Sequence, residues 1–121
     1  MLTLSLRIDI DPTGRIGPGK IDLLEKIAES GSISAGGRAM GMSYRRAWEL
    51  VDELGRICGH AVVVSQSGGK HGGGATLTPF GAALIAHYRA IERATFAAAR
   101  PYLLSLEAEI AHDAAPPPAP D

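Results

Sequence analysis

The sequence predicts an α+β fold that is mainly helical, and three observations support this prediction. Leucine and isoleucine alternate with polar residues over positions 2–10, which is the period-two pattern of a half-buried strand. Three segments follow that each begin near a serine or proline and end at a glycine, as helices do. A glycine-rich stretch, 67–74, then lies between two short apolar segments, and a long helical segment follows. The predicted order is a strand, three helices, two strands and a helix.

The first strand and the first helix are bounded by local signals. Residues 11–14, Asp-Pro-Thr-Gly, favour a turn that ends the strand. The first helix lies between Pro18, which the first turn of a helix tolerates, and Gly31, which suits a helix end. Apolar residues between them recur at three- and four-residue spacing, at Ile21, Leu24, Ile27 and Ala28. We therefore expect one face of this helix to lie in the core.

The second helix is predicted to be short and to run to about Met40, with Ser32 or Ser34 as its N-cap. It contains the pair Gly36-Gly37. Each glycine in a helix interior costs about 1 kcal/mol relative to alanine. Such a cost indicates either close packing against a neighbouring helix or a close approach by a DNA backbone. The sequence leaves both explanations open.

The third helix is predicted from Tyr44 to Cys58, between a serine cap and a glycine. Its apolar residues share one side, which comprises Ala47, Leu50, Val51, Leu54, Ile57 and Cys58. Charged residues share the opposite side, which comprises Arg45, Glu49, Asp52 and Arg56. They form two ion pairs at four-residue spacing, each worth about 0.2–0.5 kcal/mol. This helix is therefore expected to bury one side and expose a charged one.

The last helix is predicted to begin at Thr78-Pro79, a cap followed by a proline in the first turn. Residues at a spacing of about 3.5 mark a stripe along it, at Leu84, Tyr88, Ile91, Thr95 and Ala98. Such a stripe on a terminal helix predicts a partner helix in a dimer. Pro101 is expected to kink or restart the helix. We expect one domain over 1–112, and a disordered proline-rich tail over 113–121.

With short strands at about 61–64 and 75–77, this order is that of a winged helix-turn-helix. It would have an N-terminal strand, a two-stranded wing and a long C-terminal dimerisation helix. In helix-turn-helix proteins, the N-terminal residues of the recognition helix enter the major groove. Here those residues are Ser43 and Tyr44, whose hydroxyls can contact backbone or base, followed by Arg45 and Arg46. The sequence therefore predicts double-stranded DNA as a partner.

The basic and hydroxyl side chains of this region are assigned different roles. Arginine presents a planar fork of donors that can bond O6 and N7 of guanine, or a phosphate. Arg45 points away from the apolar side, so we expect it to contact a base edge, whereas Arg46 on the flank is expected to contact phosphate. Ser32 and Ser34 lie at another helix N-terminus, where free amides bind phosphate.

Three further residues are candidates for the same DNA-binding surface. Trp48 lies about 100° from the centre of the apolar side, which favours a half-buried support for the helix over a DNA contact. Lys70 and His71 lie in the glycine-rich stretch, within reach of a minor groove or a phosphate. That stretch does not match a Walker-type loop, because Val64 stands in place of its first glycine and His71 in place of its Ser or Thr.

Charge and composition argue against other function classes. The net charge is −1, but residues 38–71 carry five basic against three acidic residues, and residues 81–121 carry three against five. This mild basic region suits a local phosphate contact rather than loose coating of nucleic acid. The cysteine and histidines lack the spacing of metal ligands, and no catalytic triad is evident. We therefore expect neither an enzyme nor a bound metal or cofactor.

The expected setting is cytoplasmic. Cys58 is the only cysteine, so a disulfide within the chain is impossible and a reducing compartment is the simpler interpretation. Neither a signal peptide nor an apolar run of about 18 residues is present, so no membrane partner is expected.

Residues 18–91 resemble the DNA-binding domain of the molybdate-responsive regulator family, ModE, which is related to LysR-type winged helices. The resemblance rests on three segments: SGSIS at 30–34, AMGMSYRRAW at 39–48 and SGGKHGGGATLT at 67–78. It implies a dimeric transcriptional regulator of molybdenum-related genes. In family members, molybdate-binding modules follow this domain. The residues after Ile91 do not resemble those modules, so we do not expect this chain to bind molybdate.

We therefore expect a homodimer that binds palindromic operators, with half-sites about one helical turn, roughly 34 Å, apart. Two alternatives remain: a winged-helix module that binds a protein without contacting DNA, and a stand-alone molybdate sensor. The arginine-bearing turn beside a glycine-rich wing favours DNA, because a protein-binding surface needs neither feature.

Overall fold

The structure, a computed structural model, describes residues 1–66 and 74–112. In chain order the elements are β1 (Ile8–Ile10), β2 (Gly14–Ile16), α1 (Pro18–Ser30), α2 (Ile33–Ala39), α3 (Tyr44–Cys58), β3 (Val63–Gln66), β4 (Gly74–Leu77) and α4 (Pro79–His112). Within these ranges β1 pairs with β2, and β3 with β4, both antiparallel. The mainly helical α+β class is confirmed, with β2 as a strand that the sequence did not predict.

The N-terminal segment forms a shorter strand than its alternating pattern predicts. Only β1 belongs to a ladder, whereas residues 1–7 lie along α4. The backbone N–H of Leu2 donates to Oε2 of Glu107 at 2.9 Å, and the hydroxyl of Tyr88 donates to the carbonyl of Leu6 at 2.5 Å. The single long strand is therefore a wrong prediction. Leu2 and Leu6 are half-buried because a helix covers them, and not because they belong to a sheet.

Helix boundaries follow the capping signals of the sequence. Oγ of Ser32 accepts a hydrogen bond from the backbone N–H of Ala35 at 2.9 Å, so Ser32 and not Ser34 is the N-cap of α2. Ser43 caps α3 in the same way, accepting from the N–H of Arg46 at 3.1 Å. Both α1 and α3 end at a glycine in the left-handed region, with φ of 79° and 74°.

The core is built around α1, which buries two of its sides. One cluster joins α1 to β2, α3 and α4, and comprises Ile16, Ile21, Leu24, Leu54, Ile57, Val62 and Tyr88. A second joins α1 to α2, α3 and β4, and comprises Leu23, Ile27, Ile33, Ala47 and Ala75. Because both α2 and α3 pack on α1, the positions of their N-termini are set by the apolar core.

The pair Gly36-Gly37 lies buried where α2 packs on its neighbours. A Cβ at Gly36 would lie 2.9 Å from the backbone nitrogen of Ile27 in α1, and one at Gly37 would lie 2.8 Å from the Cβ of Ala47 in α3. These separations are shorter than van der Waals contact, so only glycine lets the three helices approach this closely. Close helix packing therefore accounts for both glycines, and approach by DNA is not needed to explain them.

The last helix, α4, is 34 residues long and contains Pro101 without restarting there. The first part of its expected dimer stripe lies inside the chain's own core, because Tyr88 is fully buried and Leu84 packs against the first cluster. A dimer seam would therefore have to use residues further along the helix. No helix in the described part of the chain is both long enough and apolar enough to cross a membrane.

Arg89 fastens α4 to α1. Its guanidinium lies 2.6 Å from carboxylate oxygens of Asp22 and Glu25 in α1, and 2.8 Å from Glu92 in its own helix. The hydrogen bonds to these carboxylates, that to Glu25 foremost, raise the pKa of Arg89. The Arg89 side chain is 26% exposed, so these ion pairs are partly shielded from water. They hold the first half of α4 on the body of the fold.

Candidate nucleic-acid interface

The leading end of α3 carries two exposed arginines. The side chains of Arg45 and Arg46 are 89% and 60% exposed, and the first turn of the helix holds no acidic residue. A helix N-terminus bears about half a positive charge, so an anion there is favoured by roughly 0.3–1 kcal/mol and a cation is disfavoured to a similar extent. The chain thus places positive charge where the helix tolerates it least. This arrangement favours an anionic partner outside the chain.

Glu49 links the two arginines one turn further along α3. Its Oε1 lies 3.2 Å from Nε of Arg45, and its Oε2 lies 3.9 Å from Nη1 of Arg46. The four-residue spacing predicts the ion pair between Glu49 and Arg45. The sequence analysis did not predict that the same carboxylate also contacts Arg46. Arg45 donates to Glu49 through Nε, so the terminal nitrogens of Arg45 stay available to an outside acceptor.

A shallow groove beside this end gathers three of the residues that the sequence singled out. Ser32, Ser34 and Tyr44 line it together with Gly74 and Ala75 at the start of β4, around a volume of about 270 Å³. The strand is held there because the N–H of Ala75 donates to the carbonyl of Gly31 at 2.8 Å. Tyr44 is 57% exposed. The N-termini of α2 and α3 and the start of β4 therefore line one continuous groove.

Trp48 lies further along α3 and borders a different groove. That groove has a volume of about 320 Å³ and runs between α3 and the segment leading into β3, with Arg56 and His60 among its lining residues. The indole of Trp48 is 47% exposed, so it is neither a core residue nor a freely solvated one. The structure does not bring Trp48 into the groove formed by Ser32 and Tyr44.

Two predicted site residues, Lys70 and His71, lie outside the described residues. Their assignment to DNA contacts therefore remains a prediction. The β3–β4 ladder is described from the Val63–Leu77 pair to the Gln66–Gly74 pair. Since Gly74 lines the groove beside Tyr44, this end of the hairpin lies next to the leading end of α3.

Away from the leading end of α3, burial explains the raised pKa values of two side chains, Cys58 and Tyr88. Burial raises the pKa of the Cys58 thiol, which keeps it protonated and poorly nucleophilic at neutral pH. Burial also raises the pKa of Tyr88, whose hydroxyl donates to Leu6. No group of three or more His, Cys, Asp and Glu side chains in the described ranges could hold a metal ion. The groups at the leading end of α3 are cations and hydroxyls, which suit recognition of an anionic surface.

No family model matches the chain, but curated proteins do. Molybdenum-pterin-binding protein MopB of Rhodobacter capsulatus is 46% identical over 84 residues, which is 69% of this chain and 31% of that protein. The DNA-binding transcriptional dual regulator ModE of Escherichia coli K12 is 46% identical over 71 residues, which is 59% of this chain and 27% of that protein. Molybdenum transport protein ModE of Azotobacter vinelandii is 34% identical over 87 residues, which is 72% of this chain and 32% of that protein.

The chain spans about a third or less of the length of these curated relatives. The similarity supports a relationship to the ModE family. The names of the relatives describe transcriptional regulation, molybdenum-pterin binding and molybdenum transport.

Proposed function

We propose that this chain is a member of the ModE family that binds double-stranded DNA sequence-specifically and regulates transcription of molybdenum-related genes. The observation that carries the proposal is the leading end of α3, where Arg45 and Arg46 are exposed and no acidic residue occupies the first turn. A relative with 46% identity is named a DNA-binding transcriptional dual regulator, which supports the same function here.

In the proposed complex α3 enters the major groove with its N-terminus foremost, as the second helix of a helix-turn-helix does. Arg45, the more exposed arginine, reads a guanine edge through its terminal nitrogens. Arg46 binds a phosphate from the flank, and the hydroxyls of Ser34 and Tyr44 contact the backbone beside it. Lys70 and His71 extend these contacts from the wing.

A homodimer would place two copies of α3 on one duplex. Beyond Arg89, α4 exposes several large apolar side chains, each 41% to 59% exposed: Ile91, Phe96, Leu104, Leu106 and Ile110. Large exposed apolar side chains that recur along one helix favour a surface that a partner covers. We propose that the α4 helices of two copies cover one another. Sedimentation should then show a dimer that Leu104→Glu dissociates, and a wild-type monomer at micromolar concentration would contradict dimerisation.

The link to molybdenum rests on the names of the relatives, and not on a site among the described residues. MopB is named a molybdenum-pterin-binding protein, but this chain matches only 31% of its length. We therefore propose regulation of molybdenum-related genes without proposing that the described residues bind molybdate.

Selection of binding sites from random double-stranded DNA tests the proposed function. We expect a two-fold symmetric motif whose half-sites lie about 34 Å apart. Gel-shift titration should give specific affinity on the order of 10⁻⁸–10⁻¹¹ M, at least about 10³-fold tighter than for a scrambled duplex. The double variant Arg45→Ala/Arg46→Ala serves as the binding-deficient control. Failure of the wild-type chain to enrich any motif would contradict sequence-specific DNA binding.

A further inference from the structure

Glu49 is an acidic side chain on the surface that is proposed to face DNA. It is 47% exposed on the outer side of α3, one turn behind Arg45. A carboxylate near DNA repels phosphates and reduces the electrostatic attraction on which non-specific binding depends. Its position therefore requires a reason other than general affinity for DNA.

We propose that Glu49 is a positioning residue for base recognition, which holds Arg45 by its Nε so that the terminal nitrogens are presented to guanine. This inference rests on the proposed DNA-binding function. The contact of 3.2 Å joins Oε1 to Nε, which leaves Nη1 and Nη2 as the pair of donors facing outward. Two parallel donors match the O6 and N7 acceptors of guanine in the major groove.

The exposure of Arg45 explains why such a restraint matters. Its side chain is 89% exposed, so without a partner it samples many rotamers in the free protein. Binding then has to order this side chain, and an ion pair that already holds it reduces that cost. The pair is weak in water but strengthens when DNA displaces solvent from around it, because the local dielectric constant falls.

Arg46 completes the arrangement by contacting the same carboxylate. Its Nη1 lies 3.9 Å from Oε2 of Glu49, so the carboxylate stands between two guanidinium groups. The three side chains together retain a net positive charge. The repulsion between Glu49 and phosphate is therefore offset while the orienting contact to Arg45 is kept.

The same helix provides a matched control. Asp52 pairs with Arg56 at 3.1 Å, again through Nε and at four-residue spacing, and its carboxylate is 45% exposed. Arg56 lies in the last turn of α3, away from the leading end. Asp52→Ala removes the same charge from the same helix as Glu49→Ala, so any general electrostatic effect is common to both variants.

The test measures the affinity of each protein variant for the selected DNA site and for the set of DNA sites in which each position carries each of the four base pairs in turn. Glu49→Ala should lower the preference for guanine at one position of each half-site by about threefold to fivefold. This factor corresponds to the upper range of the free energies measured for exposed ion pairs. Glu49→Gln keeps an acceptor oxygen and should retain part of that preference. Asp52→Ala should leave the base preference unchanged. All three variants should bind non-specific DNA more tightly, because each removes a negative charge.

The two proposals fail in distinguishable ways. Equal base preferences in the Glu49→Ala variant and the wild type, with selective DNA binding intact, overturn the positioning role alone. Equal losses of preference in the Glu49→Ala and Asp52→Ala variants overturn it as well. Absence of selective DNA binding by the wild-type chain overturns the proposed function and the role of Glu49 with it. Circular dichroism and thermal melting establish that each variant is folded.

Discussion

Replacing Arg45 by alanine should separate fold stability from DNA recognition. The side chain is 89% exposed, and its intramolecular ion pair is with Glu49. Loss of that pair lowers the free energy of unfolding by about 0.2–0.5 kcal/mol. Loss of a cation from a helix N-terminus raises it by about 0.3–1 kcal/mol. The net change lies between about −0.2 and +0.8 kcal/mol, so Tm should stay within a few degrees of the wild type.

The same substitution should weaken and relax DNA recognition. A bidentate arginine–guanine contact provides about 1–3 kcal/mol of discrimination, which corresponds to about 5- to 150-fold in relative affinity. Fluorescence anisotropy with the selected site and its single-base variants measures this ratio, and thermal melting measures stability in the same samples. We expect a large loss of base preference with an unchanged or slightly higher Tm.

Arg56→Ala is the matched control for Arg45→Ala. Arg56 is also exposed, at 74%, and also pairs through Nε with a carboxylate four residues away. It lies in the last turn of α3, where a cation is favourable. Arg56→Ala should therefore lower Tm and leave base preference intact. If Arg45→Ala lowers Tm as much as Arg56→Ala does, or keeps the wild-type base preference, the reasoning about the leading end of α3 is refuted.

Three further predictions concern the core. Gly36→Ala should destabilise the fold by about 1–3 kcal/mol in urea unfolding because its Cβ meets α1; Gly19→Ala, with nothing within 4 Å, is the control and should be neutral or slightly stabilising. Tyr88→Phe should cost about 0.5–1.5 kcal/mol by removing the hydrogen bond to Leu6, and an unchanged unfolding midpoint would contradict that bond. Burial raises the pKa of the Cys58 thiol, so the stability that depends on a neutral thiol is present below the ordinary thiol pKa and is lost as pH rises through the folded-state pKa. Iodoacetamide should modify this thiol more slowly in the native protein than in urea, and equal rates would contradict the shift.

Local signals were sufficient to predict the helices. Ser43 caps α3 and left-handed glycines end α1 and α3, and these signals depend on neighbours within four residues. The exposed charges of α3 also follow from helical periodicity, which is why the Arg45–Glu49 pair was expected and found. The candidate site was predictable to the extent that it lies on one helix.

Features that depend on distant contacts could not be predicted. Alternation over the first residues indicates that every second side chain is half-buried, but it does not identify α4 as the covering element. Spacing of about 3.5 residues likewise cannot distinguish a dimer seam from the chain's own core, where Tyr88 lies. The groove that joins Ser32 to Tyr44 depends on β4 being held by Gly31. Each of these contacts joins residues that are far apart in sequence.

In the proposed complex the leading end of α3 lies in the major groove with Arg46 on a phosphate, and the salt dependence of binding tests this placement most directly. For a protein that neutralises phosphates, log K falls linearly with log salt concentration, by about 0.9 per phosphate contacted. Arg46→Ala should make this slope shallower by about 0.9 relative to the wild type. Arg100→Ala, which removes an exposed cation from the distal part of α4, should leave it unchanged. An identical slope for the wild type and Arg46→Ala, or an equal change for Arg100→Ala, would contradict the account.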